Sequence, residues 1–250
     1  MKPFYFSLGA LGSMSLDNAL DIIKEAKFKE HLLGDISTSK LQLCPQQYGY
    51  IDETVICKLL TEFSNIEFRF HANVNILGRR EIVDICDFKN RQDYFQRLSV
   101  LNQLLKCPVY TAHAGKRDNC SFDEVIENTL ELEQLFGVPV GIEGHYPSIR
   151  NNWLINSWDE YKQLLLTKAK YVIDLSHLNI VYSDSEVYER ELVRELLNNP
   201  NCIEVHVSAN NGVSDQHRRL QSKPIWWEDL PYVNLNCDIF TEGSLRTDYL

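Results

Sequence analysis

Two rhythms of apolar and polar residues take turns along this chain. Short apolar runs of strand length occur at Phe4 to Leu8, His31 to Ile36, Glu67 to Val74 and Pro108 to Ala112, and again at Gly137 to Glu143, Lys170 to Leu175, Cys202 to Ser208 and Ile239 to Glu242. Between them, apolar residues recur at helical spacing. Leu16, Ala19, Leu20 and Ile23 follow a capping Ser15 in a helix that runs to about Phe28. Val55, Ile56, Leu59 and Leu60 mark a helix over Asp52 to Phe63, and Tyr94, Leu98, Leu101 and Leu105 one over Arg91 to Leu105. Ser121 and Glu124 form a capping box that opens a helix to Phe136. Trp158 to Leu166 is helical, and so is Glu186 to Asn198, which Asn199-Pro200 stops. Cys44 to Tyr50, Gly78 to Asn90 and Ala209 to Lys223 read as loops.

Strands alternating with helices predict parallel pairing with right-handed crossovers, and eight such units close a (β/α)8 TIM barrel. No helix is predicted after the eighth strand, so the barrel is expected to lack its last one. No Gly/Ser linker or low-complexity break interrupts the pattern, and residues 1–250 read as one domain. A doubly wound open sheet is the alternative, but no G-x-G-x-x-G follows the first strand.

Composition narrows the class. Hydrophobic residues make up 44% of the chain and charged residues 24%, as in an ordinary globular protein. The formal net charge of -10 argues against duplex DNA as a partner, since duplex binding rests on clustered Lys and Arg. The doublets Arg79-Arg80 and Arg218-Arg219 read as solvated loop. Seven cysteines without C-x-x-C spacing, and no secretory leader, point to reduced thiols in a cytoplasm. No run of ~18 apolar residues exists to span a membrane.

The chemistry lies at the strand ends. His71 falls on the third strand, His113 just after the fourth, Glu143 at the end of the fifth and Asp174 at the end of the sixth, with His177 three residues on. His206 lies on the seventh strand, Asp215 and His217 in its loop, and Glu242 ends the eighth. A lone His at a strand end is more often a hydrogen-bonded structural residue, and Asp215-Gln-His217 alone reads as solvated loop. Together, five imidazoles and four carboxylates would share the C-terminal face, where barrel active sites sit. Four carboxylates held close repel one another unless cations neutralise them, so the set asks for metal. His31 reads as structural, and His145 as a structural or supporting residue.

The ordered set Phe-His71-Ala-Asn, Thr-Ala-His113-Ala-Gly, Gly-Ile-Glu143-Gly, Ile-Asp174-Leu-Ser-His177, Glu-Val-His206-Val-Ser, Asp215-Gln-His217 and Thr-Glu242-Gly resembles the xylose-isomerase-like barrel superfamily. That superfamily includes endonuclease IV, sugar isomerases and epimerases, and multinuclear non-heme iron-dependent oxidative enzymes. The resemblance covers roughly Phe68 to the C-terminus. It implies three metal sites. His71, His113 and Glu143 would hold one ion. Glu143 would bridge to a second, held also by Asp174, His206 and Glu242. His177, Asp215 and His217 would hold the third.

Three chemistries follow from the resemblance. The first is oxidative: two or three irons would use dioxygen to modify a peptide or amino-acid-derived substrate, with a separate substrate-recognition protein as a possible partner. Tyr146-Pro-Ser148 after Glu143, and the Trp pair after His217, add to this reading and place it first. The second is hydrolytic: zinc ions would activate water against a phosphodiester, as in endonuclease IV. The third is isomerisation or epimerisation of a sugar on one metal such as manganese, with Glu143 and Glu242 moving a proton at carbon. There His71, His113, Asp215 and His217 become surplus. Glu143, Glu242 and His177 are the candidate catalytic residues. Asn73, Tyr146, Asn179, Asn210 and Trp226 are candidate substrate contacts, with turn capping or plain core as their other reading. Cys120 and Cys237 are expected near the mouth. A non-enzymatic metal-stabilised module is the remaining alternative.

Overall fold

Each strand forms where the alternating residues can serve two surfaces at once. On β4 (Glu67–His71), Phe68 and Phe70 face the helices, while Glu67, Arg69 and His71 face the barrel interior. On β8 (Cys202–Val207), Val205 and Val207 pack outward, while Glu204 and His206 point inward. The other strands are β1 (Phe4–Ser7), β2 (Phe28–Glu30), β3 (Gly34–Leu43), β5 (Tyr110–His113), β6 (Val140–Glu143), β7 (Lys170–Asp174) and β9 (Asp238–Thr241). The computed structural model describes residues 2–44, 49–79 and 81–245. Parallel pairing runs β1-β3-β4-β5-β6-β7-β8-β9 and returns to β1, which closes an eight-stranded parallel barrel. The closed barrel excludes the open-sheet alternative.

The second barrel strand differs from the sequence expectation. A strand over His31 to Ile36 was expected; β2 and β3 instead form an antiparallel hairpin, and His31 falls in the turn between them. Gly34, with φ of 77°, makes that turn, which a side chain would strain. α1 (Leu16–Glu25) ends three residues before Phe28, which is recruited into β2. Its Ser15 cap forms as expected, accepting from Asn18 N at 3.2 Å.

Helices α2 (Glu53–Glu62), α3 (Gln92–Leu105), α4 (Phe122–Phe136), α5 (Trp158–Leu165), α6 (Leu175–Ser185) and α7 (Arg190–Asn198) cover the outside. The Ser121–Glu124 capping box opens α4. α6 was not expected: its helical face is masked by the chemistry at its start. Asp174 is both the last residue of β7 and the N-cap of α6, its Oδ1 accepting from Ser176 N at 2.6 Å and His177 N at 3.3 Å. Among the described residues no helix follows β9. The loop expected over Cys44 to Tyr50 lies in part, at residues 45–48, outside the described residues, as does Arg80. No helix among the described residues is long and apolar enough to cross a membrane.

Candidate metal centre

The C-terminal ends of the strands open on a bowl of about 330 Å³. Its walls include His71, His113, Glu143, Asp174, His177, Asp215, His217 and Glu242. His206 sits directly beneath and is fully buried. All nine expected ligand residues therefore converge.

Glu143, at the end of β6, is their hub. Its Oε2 lies 3.2 Å from His71 Nε2 and 3.3 Å from His206 Nδ1. Its Oε1 lies 3.6 Å from His177 Nδ1 and 4.0 Å from His113 Nε2. His206 Nδ1 is also 3.7 Å from Glu242 Oε1. A third grouping adjoins these: His177 Nε2 is 3.5 Å from both Asp174 Oδ2 and Asp215 Oδ2, and His217 Nε2 is 2.5 Å from Asp215 Oδ2. The His217 backbone adopts a left-handed φ of 44°, as Ala72 and Asn73 do just after His71. Three non-glycine residues held in this region at one rim each cost on the order of 1–3 kcal/mol, a pattern that concentrates at functional sites.

The residues fit metal ions. Glu143 Oε2, Asp174 Oδ2, Asp215 Oδ1 and His206 Nδ1 are buried without any hydrogen-bond partner, although buried polar atoms are as a rule paired. Three overlapping trios, His71–His206–Glu242, His71–His113–Glu143 and Glu143–Asp174–His206, each offer ligand atoms within 4.8 Å of one another. Imidazole and carboxylate donors suit zinc, manganese or iron alike.

Electrostatics express the same crowding. Burial works against charge on Glu143, but His206, His71 and His113 outweigh it and hold its pKa well below the usual carboxylate range. Burial likewise opposes the His206 and His177 imidazoliums, yet neighbouring carboxylates lift both pKa values well above normal. Burial dominates at His71, whose pKa falls to about 3. It also dominates at Glu242, where it raises the carboxyl against the pull of His206 and His217.

Most of the remaining ring nitrogens are held from behind. His71 Nδ1 is 2.9 Å from Thr111 Oγ1, His177 Nδ1 donates to Gly144 O at 2.9 Å, and His206 Nε2 donates to Glu204 Oε1 at 2.8 Å. His113 Nδ1 faces the buried Asp84 at 3.6 Å. Gly144 is required at its position, because a Cβ would meet the Tyr161 hydroxyl at 2.5 Å. Asp84, Thr111 and Glu204 were not singled out from sequence. The last two follow from stepping two residues back along β5 and β8 from His113 and His206; Asp84 comes from a loop and carries no such signal.

The candidate substrate contacts divide. Asn73 lines the bowl, with Oδ1 accepting from Val83 N at 2.7 Å. Tyr146 packs its ring 4.8 Å from His177. Asn179, Asn210 and Trp226 instead line a separate cavity of about 690 Å³ with Ser208, Arg218 and Arg219. Asn179 donates to Asn210 at 2.8 Å, and Asn210 donates to Ser176 O at 2.7 Å, so both amides tie the loop after β8 to α6. Gly9, Gly12, Cys44 and Ala72 complete the bowl and were not expected there. Cys237 is not near the mouth: it precedes β9 at the opposite end of the barrel, 3.9 Å from Cys202 Sγ. His145 is buried, stacked between Trp153 at 4.3 Å and His113 at 4.9 Å.

No protein-family model matches the chain, and no curated protein matches it. Solved structures do. A D-tagatose 3-epimerase-like protein superposes with a TM-score of 0.68 at 17% identity, covering 97% of this chain and 91% of that one. An AP endonuclease, family 2, from Brucella melitensis gives 0.65 at 15% identity over 98% and 96%. An IolI protein with a zinc atom gives 0.63 at 12% identity over 97% and 89%. With the closed parallel barrel and its helices, these neighbours show the fold to be an eight-stranded TIM barrel like theirs.

Proposed function

We propose that the chain is a multinuclear divalent-metal-dependent hydrolase of small phosphoesters. The carrying observation is the surplus of donors: His71 and His206 at one oxygen of Glu143, His113 and His177 at the other, and Asp215 and His217 beyond His177 exceed what one cation can use. Divalent cations bound there supply Lewis acidity and a nucleophile near neutral pH. Glu143 orients the imidazoles that meet its two oxygens. Glu242, whose burial raises its pKa, gives or takes the proton at the leaving oxygen. His177 reaches both Asp174 and Asp215 and links two of the donor groups.

Among the described residues the bowl has no Lys or Arg in its lining, and the chain is acidic. Both facts favour a small substrate over duplex DNA, even beside an AP endonuclease neighbour. Sugar epimerisation is the second reading, favoured by the D-tagatose 3-epimerase-like and L-ribulose 3-epimerase neighbours. In it Glu143, Asp174, His206 and Glu242 hold one cation, and Glu143 and Glu242 face the reacting carbon. The iron-dependent oxidase expected from the ligand motifs gains no support from these neighbours, nor does iron over other metals; the hydrolase and epimerase readings fit better.

Metal analysis of the protein as isolated, with bis(p-nitrophenyl) phosphate hydrolysis assayed on the same sample, tests the proposal. Two or three zinc or manganese ions per chain with metal-dependent hydrolysis is the expected result. One ion, no hydrolysis, and exchange of the C3 proton of a ketose into solvent would replace it with the epimerase.

A further inference from the structure

Beneath the bowl lies a second polar layer. Two residues down β8 from His206, Glu204 points into the same interior and is fully buried. Its Oε1 accepts from His206 Nε2 at 2.8 Å, Gln42 Nε2 at 2.7 Å and the Thr111 hydroxyl at 3.3 Å. Its Oε2 accepts from Arg69 Nη1 at 3.0 Å. A hydroxyl has one hydrogen to give. With that hydrogen given to Glu204, Thr111 Oγ1 accepts from His71 Nδ1, 2.9 Å away. The outward nitrogens are then decided: His71 Nε2 and His206 Nδ1 both face Glu143 Oε2, at 3.2 and 3.3 Å. Tautomer and ring orientation follow from the partner behind the ring, as they do for metal-bound histidines in general.

We propose that Glu204 is a shared positioning residue of the bowl, aiming His206 directly and His71 through Thr111, so that two imidazoles from opposite strands present their free nitrogens at one carboxylate oxygen. The inference rests on the reading that the bowl binds metal. It goes beyond that reading by assigning one buried side chain control over two ligands, His206 on its own strand and His71 across the barrel on β4. Branched apolar residues fill this layer in most barrels. Here the layer is a carboxylate whose two oxygens are both occupied, and two of its donors lead to the bowl.

Two variants separate positioning from mere support. Glu204→Gln keeps the volume and removes the charge; Thr111→Val cuts only the His71 branch. Zinc titration calorimetry on metal-stripped protein reads affinity, and nitrogen-15-edited NMR of histidine-labelled protein reads the ring protons, assigned with His71→Gln and His206→Gln. In the unaltered protein the His206 Nε2 and His71 Nδ1 protons are expected downfield. Glu204→Gln should shift both upfield and weaken the zinc steps that use these rings by about 10–100-fold, leaving a step at His177, Asp215 and His217 unchanged. Thr111→Val should move the His71 signal alone. Unmoved ring protons in Glu204→Gln, or zinc steps all within twofold of the original, would overturn the proposal. If Glu204→Gln does not fold, the selective His71 shift in Thr111→Val decides. If the unaltered protein takes up no zinc, the metal reading of the bowl fails, and the ring protons alone still decide whether Glu204 aims the histidines.

Discussion

Two layers of one barrel interior carry similar residues in opposite states. In the lower layer, Arg69 binds Glu67 at 2.8 Å, Glu204 at 3.0 Å and Asp238, while Lys40 binds Asp238 at 2.8 Å. Cations from the chain itself balance these carboxylates. In the upper layer, histidines are the only basic side chains within ion-pair distance of Glu143, Asp174, Asp215 and Glu242 among the described residues, and several of the carboxylate oxygens lack any hydrogen-bond partner. A buried charge is tolerable when paired, and the upper layer's pairing is incomplete without ions from outside. The contrast separates charge that holds the barrel together from charge held ready for a ligand.

Breaking the lower layer should have the largest effect. Arg69→Met leaves the buried Glu204 without its guanidinium and half-buried Asp238 with Lys40 alone, and should destabilise by about 3–5 kcal/mol, read as a lower urea midpoint at unchanged slope. In the upper layer the loss should be functional instead. Glu143→Gln should lower hydrolysis by on the order of 10²–10³-fold, with a melting temperature of the metal-free protein close to the original. If Glu143→Gln unfolds the protein as Arg69→Met does, the two layers are not different in kind. Metal should stabilise the upper layer by mass action. Zinc at a hundred times its Kd should add about 2.7 kcal/mol, lost on chelation, and Arg69→Met should not abolish that increment if it folds.

A smaller effect comes from pH. Burial works against the His217 imidazolium, but Asp215 and Glu242 more than offset it and lift the pKa to about 9. A raised folded-state pKa contributes stability that is complete below about pH 6.5 and is lost as pH rises through 9. The melting temperature of the metal-free protein should therefore fall across that window, and Asp215→Asn should flatten the fall. Zinc competes with the same proton, so its affinity should rise over the same range. The smallest change is expected outside both layers: Arg218→Ala, exposed in the neighbouring cavity, should alter stability by no more than about 0.5 kcal/mol and leave hydrolysis intact.

What could be read from the chain differs sharply between these layers. The upper ligands end apolar runs, so His71, Glu143 and Asp174 stood out against hydrophobic neighbours. Arg69 and Glu204 sit inside the same runs at the same inward register, but a charged residue within a strand looks like the solvated face of an ordinary sheet. Only closure of the barrel turns that face into an interior. The hairpin of β2 and β3 was hidden for a related reason: its pairing depends on a turn at Gly34 and on β1 lying beside β3, not on local periodicity. Asn179, Asn210 and Trp226 read as candidates for the bowl, yet α6, the loop after β8 and the segment at Trp226 bring them together in another cavity.

The sequence by itself determined the alternation of strands and helices, and with it the barrel and the side of it that carries the ligands. Strand periodicity is local, and the C-terminal ends of parallel strands must share a face. Tertiary structure alone decided which nitrogen meets which oxygen, that Glu143 is the hub, and that Glu204 and Asp84 stand behind the rings. Those relations join residues from different strands and loops, and their distances exist only once the barrel has closed.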